Sequence, residues 1–162
     1  MIQDFAIDIK NISPEEKQYR EKNLELFNKE GFPNKRLEAW KFTDLNKIIE
    51  DKFKNLKANN KLEEYQEVEL LKDFEHNYIV LINGVLKSNN FKYEDQKKFK
   101  LKEYDENINN QLEIKNSLIN LNNALFKGGY SLEVSDNYSF KKPLVIYNYF
   151  SENLKNVIFN NK

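Results

Sequence analysis

The apolar positions of this chain change their period once, from helical to extended. Ser13-Pro14-Glu15-Glu16 predicts a helix start: Ser13 caps, Pro14 sits where its missing N–H costs nothing, and Glu16 closes a capping box. The helix runs to about Lys29, with Tyr19, Asn23, Leu26, Phe27 and Glu30 roughly on one face, and Gly31 and Pro33 stop it. A second helix begins after Thr43 or Asp44, where Leu45, Ile48, Ile49 and Phe53 form an apolar stripe. Between Asn55 and Asp73 the chain is polar, with a loop at Ala58-Asn59-Asn60-Lys61 and no decided state for Leu62 to Leu71.

From Tyr78 the pattern is extended. Tyr78-Ile79-Val80-Leu81-Ile82 is a continuous, largely β-branched run, and Asn83-Gly84 before Val85-Leu86 is the strongest short hairpin signal. A helix follows between Glu113 and Phe126, where Ile114, Leu118, Leu121 and Leu125 recur at helical spacing before Gly128-Gly129. Short apolar runs then return at Tyr130 to Val134, Leu144 to Tyr149 and Val157 to Phe159, separated by polar turns. Such runs suit a sandwich, a barrel or a β-solenoid, and three of them do not choose. The expected class is α+β, with a helical region over residues 1–75 and a strand-rich region over 76–162. The last run leaves an apolar edge, which predicts either the N-terminal part of a longer protein or self-association through an edge strand.

Composition narrows the function. Lysine plus arginine (26) equals aspartate plus glutamate (26), so no global field favours nucleic acid or an anionic membrane. No run approaches a transmembrane span, and the first ten residues lack the pattern of a signal peptide, so the expected location is cytoplasmic. With 12 Phe and 9 Tyr the chain has enough bulk to build a core despite 40% hydrophobic residues. Arg20 and Arg36 are the only arginines in a lysine-rich background, and Arg36 draws notice because a planar fork does what lysine cannot.

The absence of cysteine rules out thiolate-held zinc or iron–sulfur sites within this chain, and a single histidine, His76, cannot build a nitrogen site. His76 precedes the Tyr78 strand and reads as a surface or capping residue; catalysis would need a pocket placing it beside two carboxylates. The pairs Glu15/Glu16, Glu63/Glu64 and Glu67/Glu69 lie in polar stretches and read as solvated faces. Four glycines, at 31, 84, 128 and 129, cannot write a phosphate-binding loop, and no Gly-x-Ser-x-Gly is present. Lys97 to Lys102 alternates lysine with apolar residues, as an edge strand blunted by charge does. The reading is a non-enzyme with no cofactor of its own.

One segment concentrates the unusual residues: Gly31, Pro33, Arg36, Glu38, the only tryptophan Trp40, and Thr43. Read physically, Trp40 is a buried aromatic plug fixing a helix-turn-helix corner, so Trp40→Ala should cost roughly 3 to 5 kcal/mol. Arg36 forks onto Glu38 or a backbone carbonyl, and Thr43 or Asp44 caps the next helix. The alternative is a face that binds a partner.

This segment resembles the N-terminal part of SufD proteins, subunits of the SufBCD scaffold that assembles iron–sulfur clusters. The strand ending in Asn83-Gly84, the stretch from Ser117 to Tyr130, and Lys142-Pro143-Leu144-Val145-Ile146 resemble later family segments in the same order. The resemblance implies a helical N-terminal region followed by the first strands of a right-handed parallel β-helix. It implies a scaffolding role with SufB and SufC homologues as partners, the cluster belonging to the whole complex. Family members are much longer, and their interface histidine and SufC-docking helices lie later, so neither His76 nor any other residue here inherits those roles. A SufB-type paralogue and a free-standing protein-interaction domain are the alternatives.

Overall fold

A computed structural model describes residues 5–7, 12–53, 56–58, 68–103, 116–150 and 157–158. Residues 59–61 of the expected loop, 62–67 of the undecided stretch, 113–115 of the helix expected from Glu113, and Phe159 lie outside the described residues, whereas Ala58, expected in the loop, is the end of a short strand.

Helix α1 spans Pro14–Glu30 and begins as its sequence dictates, with the Glu16 N–H donating to Ser13 Oγ at 3.1 Å. The capping box is not reciprocal, because the Glu16 carboxylate turns along the helix to Arg20. Gly31 closes α1 at φ 71°, a conformation costly for any residue with a Cβ. The buried face differs from the expected one by about a residue: Arg20, Asn23 and Phe27 are buried, whereas Leu26 is exposed. A short 3-10 helix, Glu38–Trp40, leads to α2 at Leu45–Lys52, where Asp44 supplies the cap by accepting the Lys47 N–H at 3.0 Å. Leu45 and Ile49 pack inward while Ile48 and Phe53 stay exposed, so half of the stripe faces water.

Among the described residues seven strands follow the helices or intervene: β1 Lys57–Ala58, β2 Asn77–Ile82, β3 Val85–Asn90, β4 Phe99–Glu103, then after helix α3 (Ser117–Leu125) β5 Tyr130–Val134, β6 Leu144–Tyr149 and β7 Val157–Ile158. The β2–β3 hairpin turns at Asn83 (φ 50°) and Gly84 (φ 85°), the pair of positive values a tight hairpin needs. Strand β2 lies between antiparallel β3 and parallel β6, which explains its unbroken apolar run, since Ile79, Val80, Leu81 and Ile82 are all buried. Among the described residues strand β4 pairs only with β5, and it presents Lys100 and Lys102 to solvent, as its alternation predicted. The fold is mixed α+β. Its strands form three small sheets, none of them closed among the described residues.

The three late strands do not pair with one another; β5 joins β4, β6 joins β2 and β7 joins β1. One side of the C-terminal apolar edge is therefore covered within the chain, by the parallel pairing of Val157 with Lys57 and Ile158 with Ala58. These long-range pairings also divide the chain differently from a single boundary at residue 75. One compact unit comprises Met1–Asn60, Asn109–Phe126 and Leu154–Asn160, and the other Lys61–Ile108, Lys127–Asn153 and Asn161–Lys162.

The first unit is centred on Phe5, Phe27 and Phe32, whose ring centroids lie 5.1–6.4 Å apart, with Leu56, Leu121, Ala124 and Leu125. Arg20 closes this core. Its guanidinium, 1% exposed, donates to the carbonyls of Ala124 at 3.3 Å and Phe126 at 2.7 Å and lies 3.9 Å from the Phe126 ring centre. A cation thus satisfies carbonyls that α3 leaves open at its C-terminal end.

The second unit packs Ile79, Leu81 and Phe91 with Phe99, Leu101 and Phe140. Buried Glu94 binds its loops together, accepting from Asn77 Nδ2 at 2.8 Å, Tyr138 Oη at 2.7 Å and the backbone N–H groups of Lys141 and Lys142. Burial alone would push this carboxyl up, but those donors outweigh it and hold Glu94 at about 2.

Candidate functional site

The corner from Gly31 to Asp44 is built in two halves. Gly31, Phe32 and Pro33 form the inner half: Gly31 ends α1, Phe32 and Pro33 are buried, and the Pro33 carbonyl accepts the Asn46 N–H at 3.1 Å, tying the corner to α2. The outer half turns away from the core. Lys35, Arg36, Leu37, Glu38, Lys41, Phe42 and Thr43 are all exposed, and Trp40 is only half-buried.

Trp40 is therefore not the buried plug its size predicted; Phe27 and Phe32 fill the core instead, because Gly31 and Pro33 direct the chain inward before it turns out. The expected 3 to 5 kcal/mol belongs with a fully buried ring such as Phe27 rather than with Trp40. Arg36 does not fork onto Glu38 either. Glu38 pairs with Lys41 at 2.8 Å, and the Arg36 backbone N–H donates to Asn34 Oδ1 while its guanidinium has no partner among the described residues. Thr43 lends its backbone N–H to the Trp40 carbonyl at 2.8 Å and leaves the capping to Asp44. Asn83 and Gly84 lie in the second unit as the hairpin turn, where the Asn83 N–H donates to the Tyr149 carbonyl at 2.9 Å.

The buried arginine that sequence reasoning missed is Arg20. Its signal was present: a rare arginine at i+4 from Glu16, three and seven residues before the buried Asn23 and Phe27.

The second unit holds an open cleft of about 480 Å³, lined by Leu71, Phe74, His76, Tyr78 and Tyr93 among others. Asp73 and Glu75 also line it, so it places His76 in the company of two carboxylates. Geometry separates them. His76 Nδ1 donates to the Phe74 carbonyl, which can only accept, at 2.9 Å, and Nε2 shares a second hydrogen bond with Tyr147 Oη at 2.7 Å. Tyr147 Oη in turn accepts the Leu71 N–H at 3.1 Å, so the imidazole is a clasp between the segment ahead of β2 and strand β6. Glu75 is engaged elsewhere: the Lys142 ammonium, 2.7 Å away, and the Tyr93 hydroxyl hold its carboxyl below the usual range. Neither carboxylate hydrogen-bonds the imidazole.

Among the described residues no group of three or more His, Asp and Glu side chains is placed to hold a metal ion, and no helix is long and apolar enough to cross a membrane.

Residues 6–60 match the family model of the SufBD protein N-terminal region. The matched stretch contains α1, the whole corner and α2, so it is this third of the chain that is similar to SufB and SufD proteins, and the match does not separate the two. No curated protein and no solved structure matches the chain.

Proposed function

We propose, taking the SufBD N-terminal region over residues 6–60 as the premise, that this protein is a non-catalytic, SufD-like scaffold component of iron–sulfur cluster assembly. That match is the observation that carries the reading. Its partners are SufB and SufC homologues, its place is the cytoplasm, and the cluster is cargo of the complex. The sequence has no cysteine to offer iron a thiolate, and in this reading the cluster belongs to the complex as a whole. The clasped imidazole of His76 and the separately engaged Glu75 favour a structural part for the residues that could otherwise exchange protons. The parallel pairing of β6 on β2 supports the β-helix as the architecture this region opens into.

The test is co-purification. An affinity-tagged chain expressed with SufB and SufC homologues of its source should retain both through size-exclusion chromatography, with SufB present as a distinct subunit. A folded chain that retains neither overturns the proposal, and one that retains SufC and a SufD homologue makes it the SufB-type subunit instead. The free-standing interaction domain draws support from the exposed outer half of the corner, and it would survive the loss of both Suf partners.

A further inference from the structure

We propose that the outer half of the corner, residues 35–43, is a docking surface for an acidic amphipathic segment of a partner protein. The inference goes beyond the scaffold reading and does not depend on it.

Three observations carry it. The first is apolar exposure: Phe42 is 87% and Leu37 52% exposed, with Trp40 half-buried two residues away. Large side chains so placed lose most by staying in water, and aromatic rings with arginine are the usual anchors of protein interfaces.

The second is rigidity. Consecutive turns hold the corner, the Leu37 N–H bonding to Asn34 O, Trp40 N–H to Leu37 O, Lys41 N–H to Glu38 O and Thr43 N–H to Trp40 O. Asp44 and the Asn46–Pro33 bond then anchor it to α2. Rings presented on a fixed backbone lose little conformational freedom on binding.

The third is charge, which selects the occupant. Of the two carboxylates in the corner, Glu38 is neutralised by Lys41 and Asp44 is committed to capping α2. Lys35 and Arg36 are exposed with no carboxylate partner among the described residues, so the unbalanced charge is positive. The planar fork of Arg36 matches a carboxylate in two-point geometry. Two cations without a carboxylate partner suit a peptide with glutamates flanking apolar side chains better than a phosphate backbone, which needs a longer basic track.

Trp40 is the only tryptophan and stands within the surface, so its fluorescence reports on the corner. The full chain would be titrated with a short synthetic amphipathic peptide of glutamate and leucine, and with its counterpart carrying lysine for each glutamate. The acidic peptide should give a saturable blue shift, about tenfold tighter than any response to the basic one. Arg36→Glu and Phe42→Ser should each weaken binding about tenfold, the size expected of an interface anchor, with thermal melting unchanged. Equal responses to the two peptides would overturn the proposal, as would undiminished binding by Phe42→Ser. A phosphatidylserine vesicle or a single-stranded oligonucleotide matching the acidic peptide would overturn it in favour of a general anion surface.

Discussion

Arg20 and Arg36 stand in the same lysine-rich background and have opposite fates. Arg20 lies under α3 with its fork on two carbonyls and its Nε on Glu16, whose second carboxylate oxygen is buried without a partner. Lysine, with one compact charge, could not make those bonds together. Arg20→Ala would strand Glu16 in the core and uncap α3, and unfolding in urea should show a loss of about 3–5 kcal/mol. Arg36→Ala removes a solvated side chain and should change stability by no more than about 0.5 kcal/mol. Rarity drew notice to arginine from the sequence alone, but it does not say which arginine is buried. That depended on α3, about a hundred residues away, supplying open carbonyls at the right place.

At the scale of elements, the features that held were those written within a few residues. Ser13 and Asp44 cap their helices, Gly31 ends α1, and Asn83-Gly84 turns the hairpin, because each answers a local demand for a donor, an acceptor or a positive φ. Gly84→Ala places a Cβ at φ 85° and should lower stability by about 1–2 kcal/mol in denaturant titration, whereas Asn83→Gly, which keeps the turn accessible, should cost less. Which face an element buries was legible only in part. The apolar stripe of α2 predicted four inward residues, yet Ile48 and Phe53 remain in water, because a pattern specifies a face and not how much of it a partner covers.

Across the whole molecule, residues distant in sequence are joined by single side chains. Glu94 links β2, through Asn77, to the loop at Tyr138 and Lys141. Its folded value of about 2 lies below the roughly 4.3 of an unfolded glutamate, so folding favours the ionised form. The stabilisation is complete above about pH 4.5 and is lost as pH falls towards about 2. A melting temperature followed across that window should fall more steeply for the native chain than for Glu94→Gln, and parallel curves would remove Glu94 from the account. Glu94 carried no signal in the sequence; nothing local distinguishes it from the other acidic residues, and four donors from elsewhere in the chain define it.

Local sequence carried the starts of α1 and α2, the stop of α1, the hairpin and the order of helical and extended segments, since these rest on interactions spanning a few residues, whereas α3 starts at Ser117 on an Asn116 cap rather than at Glu113. It also carried the resemblance that the match over residues 6–60 supports at the level of the SufB/SufD family. Tertiary structure decided the rest. It buried Arg20 and Phe32 while leaving Trp40 and Phe42 towards water, and it paired β7 with β1 and β6 with β2. Burial and strand partnership depend on surfaces supplied from far along the chain, and a residue's own type and immediate neighbours do not encode where those surfaces will come to lie.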